Sequence, residues 1–147
     1  MRKSACVSLL ALSLVVSILA VAPASAKSVD GLRVQIPFDF HVGDRVIPAG
    51  DYAVSAMTAN EVALRIRSTN GDESVMTLTN PKLAKSNSKS SPRLVFHKYG
   101  DQYFLVAIWG TEELGRALPE SKRERNLRRE LQSARNAQME TVVIATR

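Results

Sequence analysis

The chain has 147 residues, 20 Lys/Arg against 14 Asp/Glu, a formal net charge of +6 and one cysteine. That length suits one domain with one core. A lone cysteine excludes a disulfide framework, a CxxC redox pair and a cysteine-based zinc site.

The opening stretch MRKSACVSLLALSLVVSILAVAPASAKS sets Arg2 and Lys3 before an almost wholly apolar run, Ala5 to Ala22, followed by Ala24-Ser25-Ala26. A short positive segment, an apolar run and small residues at the cleavage positions form the pattern of a secretory signal peptide cut after Ala26. The run is only just long enough to be a transmembrane anchor instead, and the small residues favour cleavage. Cys6 lies before the apolar run, so it is not a lipoprotein cysteine. Cleavage leaves residues 27–147 as a single β-rich domain with 18 Lys/Arg, 14 Asp/Glu and no cysteine. The expected location is the periplasm or the exterior, with no membrane span remaining. Burial must then hold the fold together without disulfides, and a thiol nucleophile is excluded.

LRVQIPFDFHV alternates strictly: Leu32, Val34, Ile36, Phe38, Phe40 and Val42 share one face, and Arg33, Gln35, Pro37, Asp39 and His41 the other. Period 2 predicts a half-buried strand, with an edge position or a break at Pro37, which cannot donate to a ladder. Val42 to Asp44 and Pro48 to Asp51 carry turn chemistry. Tyr52, Val54 and Ala56 form one face of a second strand. In EVALRIRS, Val62, Leu64 and Ile66 point inward, and Arg65 and Arg67 outward. Asn70-Gly71-Asp72 suits a primed hairpin turn, and SVMTLT follows as a fourth strand. Asn80 to Pro92, rich in Ser, Asn and Lys, reads as a mobile surface loop.

RLVFHKY, Gly100-Asp101 and QYFLVAIW predict a further hairpin. Its second strand is apolar on both faces, so it sits centrally or is covered on both sides. ETVVIA, Glu140 to Ala145, is a last strand. About seven short strands with frequent turns predict a small antiparallel barrel or sandwich with one C-terminal helix. An outer-membrane barrel fits less well, because Asp39, Arg65 and Arg67 occupy outward positions that should meet lipid.

The helix is predicted over about 120–137. Ser121 and Glu124 make an S-x-x-E capping box, Glu124 and Arg128 an i, i+4 ion pair, and Leu127, Leu131 and Ala134 a narrow apolar stripe. That stripe is expected to dock on the second apolar face of QYFLVAIW, with the arginines turned to solvent. Lys122, Arg123, Arg125, Arg128 and Arg129, with Lys82, Lys85 and Lys89 of the loop, are the candidate anion-binding residues. The bland alternative is a solvated amphipathic helix. A nucleic-acid partner is not expected: the basic run carries no interleaved aromatic and no recognition motif. Anionic lipid, an envelope glycan or a protein partner fits better.

No catalytic, metal or cofactor-binding motif stands out, and no cofactor is expected. His41 and His97 could hold a metal only if the fold brought them together with a carboxylate such as Asp39. Glu112 and Glu113 read as solvated loop residues. Tyr99, Tyr103 and Trp109 could line a ligand groove, though such aromatics commonly pair within a core.

VQIPFDFHVGDRVIPAGDYAV, LVFHKYGDQYFLVAIW and GRALPESKRERNL resemble a family of small exported β-rich bacterial proteins of the acidobacterial type. The shared pattern is I-P-F-x-F-x-V-G, P-A-G-x-Y-x-V, F-H-x-Y-G-D-x-Y-F-L and L-P-x-S-x-x-E, spanning most of residues 27–147. The resemblance implies an exported β-rich fold and carries over no site residue. The expected function is a non-catalytic envelope or periplasmic binding module for an anionic component or a protein. The alternatives are a lipocalin-like carrier of a small apolar ligand and an enzyme using His41 or His97.

Overall fold

The alternation that begins at Leu32 does not make one long strand. In the computed structural model, which describes residues 29–83, 91–110, 114–133 and 139–146, it divides at Pro37–Asp39 into β1 (Leu32–Ile36) and β2 (Phe40–Val42). Proline interrupts the ladder, and the chain passes there from one sheet to the other. The segment read as a signal peptide lies outside the described residues. No described helix is long and apolar enough to cross a membrane.

After β2 come β3 (Arg45–Ile47), β4 (Gly50–Ala56), β5 (Ala63–Ser68), β6 (Ser74–Leu78), β7 (Asn80–Leu83), β8 (Arg93–Tyr99), β9 (Gln102–Trp109), β10 (Leu114–Ala117), α1 (Lys122–Ser133) and β11 (Glu140–Ala145). One sheet has the order β1-β4-β5-β6 and is antiparallel throughout. The other runs β11-β8-β9-β10-β7, with β2 joined to β9 in parallel and β3 to β2. Neither closes into a barrel; together they form a sandwich. Its core draws Val34, Ile36, Tyr52, Val54, Leu64 and Ile66 from the first sheet. The second contributes Phe40, Leu94, Phe96, Leu105 and Ile108. Phe40 meets Tyr52 and Phe96 edge-on at 5.4 and 5.7 Å between ring centroids. Each such side chain contributes about 1.5–3 kcal/mol through burial, and each edge-on pair about 0.5–1.5 kcal/mol more.

The predicted hairpin at Gly100-Asp101 forms, closed by Tyr99 opposite Gln102, and β9 is central as its two apolar faces require. The turn at Asn70-Gly71 differs from expectation. Ser68 N donates to Glu73 O and Gly71 N to Ser68 O, and Gly71 has φ 84°. The loop is therefore four residues wide, Thr69 to Asp72, with Gly71 at its third position accepting the left-handed conformation, rather than a two-residue primed turn.

Asn80–Leu83, expected within a loop, is a strand that pairs among the described residues with β10 alone, an edge position that tolerates Pro81. The remainder of that loop, 84–90, lies outside the described residues, as do 111–113 with Glu112 and Glu113.

A buried ion pair ties the two sheets along one edge. Glu61, ahead of β5, stands 3.4 Å from Arg116 of β10. Its carboxylate also accepts from Val29 N at 3.0 Å, and its carbonyl accepts from Thr79 Oγ1 at 2.7 Å. Removing one partner of such a pair leaves the other charge buried, so the pair is locked into the fold.

Candidate anion-binding surfaces

The helix begins as predicted, with Glu124 N donating to Ser121 Oγ at 3.0 Å. The Glu124 side chain, however, turns to the sheet. Its carboxylate meets His97 Nδ1 at 2.9 Å and accepts from Tyr99 OH at 3.4 Å. Burial first, then the negative charge of Glu124, pushes the Tyr99 phenol up to about 12, so Tyr99 stays a donor. Glu124 is the helix's buried residue, while Leu127 and Leu131 are half-buried. The helix is thus anchored by a carboxylate at the hairpin end of β8 and β9, not by a leucine stripe over β9. The physical reason is that this end presents Tyr99 and His97, whose polar atoms need a partner once covered. Residues 134–138, including the predicted end of the helix, lie outside the described set.

His41, expected on the polar face of its strand, is buried instead, stacked on Phe104 at 4.4 Å with no partner for Nδ1 among the described residues. Burial first, then the charge of Arg123, lowers its pKa, with Asp44 opposing. His41 of β2 and His97 of β8 both pair in register with Phe104, so a phenyl ring stands between them. Asp39, the suggested third ligand, accepts from Ala49 N at 2.8 Å.

The basic residues of the helix are largely answered within the molecule. Glu120 takes Arg125 at 3.4 Å and Arg128 at 3.2 Å, replacing the expected Glu124–Arg128 pair. Arg123 donates to Gln102 at 3.1 Å. Lys122 and Arg129 are exposed. Lys82 stands on β7 with its ammonium 5.9 Å from the Trp109 ring centroid; Arg93 lies at 5.1 Å. Lys85 and Lys89 lie outside the described residues. A groove of about 420 Å³ beside α1 brings together Lys82, Tyr99, Glu120, Glu124 and Arg128, but its charges nearly cancel. The three aromatics divide: Tyr99 and Trp109 are on the outer side of the second sheet, whereas Tyr103 is stacked on Phe38 at 3.8 Å beside the core.

A second basic surface lies across the sandwich, on the outward face of the four-stranded sheet. Strand alternation buries Leu32, Val34, Leu64 and Ile66 and leaves Arg33, Arg65 and Arg67 outside. Register then assembles them: Arg33, Ala53 and Arg67 form one row, and Ser55, Arg65 and Met76 another. Strand spacing of about 4.8 Å puts Arg33 and Arg67 roughly 10 Å apart. None of the three forms an ion pair among the described residues, although Asp51 shares the face and Asp72 lies in the adjoining loop. Each guanidinium thus keeps its forked donors for an outside carboxylate or phosphate. Sequence alternation had placed each arginine on a polar face; only register could place them on the same one.

A scan against protein-family models, a search of curated proteins and a search of solved structures each found no match.

Proposed function

We propose that the chain is an exported, non-catalytic envelope module that holds an anionic partner on the outward face of its four-stranded sheet. The observation that carries this reading is the cluster of Arg33, Arg65 and Arg67, assembled by register and without ion pairs among the described residues. The signal-like first 26 residues and the resemblance to exported bacterial proteins support the location. The helix arginines contribute less, because Glu120 already neutralises two of them. A lipocalin-like carrier would need a hollow between the sheets, where Phe40, Tyr52 and Phe96 are packed.

Binding of the exported protein to a soluble polyanion, dextran sulfate, at low salt tests the reading. An arginine near an anionic surface contributes about 1 kcal/mol, so Arg33→Gln/Arg65→Gln/Arg67→Gln should weaken binding roughly 100-fold and flatten its salt dependence. Lys122→Gln/Arg129→Gln should have a much smaller effect. Equal losses in the two variants, or no binding by the parent, would overturn the assignment.

A further inference from the structure

The geometry points to a lipid bilayer with anionic headgroups as the partner, entered by Met57, Met76 and Leu78; this inference rests on the anion-binding reading above. The three side chains are 43, 64 and 65 % exposed. They are not scattered. Met76 is in register with Arg65, Leu78 with Ala63, and Met57 N donates to Ala63 O. Met76 therefore extends the row of Arg65, and Leu78, Ala63 and Met57 make up the row next to it, on the same outward face. β6, which holds Met76 and Leu78, ends its sheet. The result is one sheet face with a basic zone at Arg33, Arg65 and Arg67 and an apolar zone beside it.

The two zones distinguish among anionic partners. A soluble glycan would use the guanidinium groups and leave two methionines and a leucine in water. A bilayer uses both: phosphates meet the arginines, while long apolar side chains enter the boundary between headgroups and acyl chains. The helix faces the other way. Glu124 docks it on the outer side of the second sheet, so the membrane would meet the surface opposite to α1.

The test compares three proteins purified after export: the parent, Met76→Ser/Leu78→Ser, and Arg33→Gln/Arg65→Gln/Arg67→Gln. Each is sedimented with phosphatidylglycerol–phosphatidylcholine vesicles and with pure phosphatidylcholine vesicles, and titrated with dextran sulfate. Thermal melts check folding. The parent should bind only the anionic vesicles. The Met/Leu variant should lose vesicle binding by about 10- to 100-fold while its dextran sulfate affinity changes by less than about twofold, since charge dominates there. A milder variant, Met57→Ser, should show a smaller loss of vesicle binding alone. If the Met/Leu variant binds vesicles like the parent while the arginine variant loses dextran sulfate, the bilayer inference fails and the anion-binding reading stands. If the parent binds neither vesicles nor dextran sulfate, both fail. A parent dimer that Met76→Ser/Leu78→Ser dissociates, with no vesicle binding, would assign the β6 edge to a second copy and overturn the bilayer inference.

Discussion

Gly115→Ala should destabilise the domain through one side chain, Trp109. The two residues face each other across β9 and β10, and a Cβ on Gly115 would stand 2.5 Å from Trp109 Cε3 and 2.7 Å from Cδ2. Carbon atoms rest at about 3.5–4.0 Å, so the ring would have to retreat by roughly 1 Å. It has little room: Trp109 is only 8 % exposed, with Lys82 and Arg93 over it. Gly115 is not among the residues with positive φ, so the cost is steric. Overpacking of this kind costs about 1–3 kcal/mol. At about 4 °C per kcal/mol for a domain of this size, the melting temperature should fall by roughly 4–12 °C. Trp109 is the chain's one tryptophan, so its emission reports the displacement directly. Adding Trp109→Leu should relieve the clash, and a double-mutant cycle should show a coupling of about 1 kcal/mol or more. A Gly115→Ala protein that melts within about 1 °C of the parent with unchanged emission would refute the close contact.

Two further expectations concern the helix and the buried histidine. Glu124→Ala removes the acceptor shared by His97 and Tyr99 and should cost about 2–3 kcal/mol, as charge-assisted hydrogen bonds to partly buried groups do. Amide exchange over 122–133 should accelerate; equal behaviour of the exposed control Lys122→Ala would show that the carboxylate is not the anchor. His41 has a folded-state pKa below its ordinary 6.5, through burial first and Arg123 second. The unfolded chain therefore binds the extra proton first, and the stability that neutral His41 contributes is present above 6.5 and lost as pH falls from there through the folded value. His41→Phe keeps an aromatic stack on Phe104 and should flatten the acid side of the stability profile. Parallel profiles for parent and variant would exclude His41 as the titrating group.

Legibility followed the range of the interaction. Leu32 to Ile36 and Tyr52 to Ala56 were readable because period 2 is local and their apolar sides were unambiguous. β9 was readable because both faces are apolar. β7 and β10 were not: Asn80–Leu83 is exposed throughout and carries Pro81, and β10 carries Gly115. What makes them strands is mainly backbone pairing with each other and with β9, which no local pattern records. His41 shows the limit of alternation more sharply. Period 2 says which residues share a face, not whether that face is covered, and the stack on Phe104 comes from a strand more than 60 residues away in sequence.

The same distinction separates apparent charge from available charge. LPESKRERNLRRE is the densest basic run in residues 27–147, yet one of its own acids answers two of its arginines: Glu120 lies within reach of both Arg125 and Arg128 once the helix forms. Arg33, Arg65 and Arg67 are sparse in sequence, but β1 and β5 flank β4, whose Ala53 and Ser55 offer no acid at the intervening positions. A dense run on a helix brings opposite charges together at short range, where they compensate. Three strand residues carried to one face by register meet only what the neighbouring strands place beside them. Available charge on a sandwich is therefore a property of register, and it is register that leaves Arg33, Arg65 and Arg67 without ion pairs among the described residues while Glu120 answers two arginines of the helix.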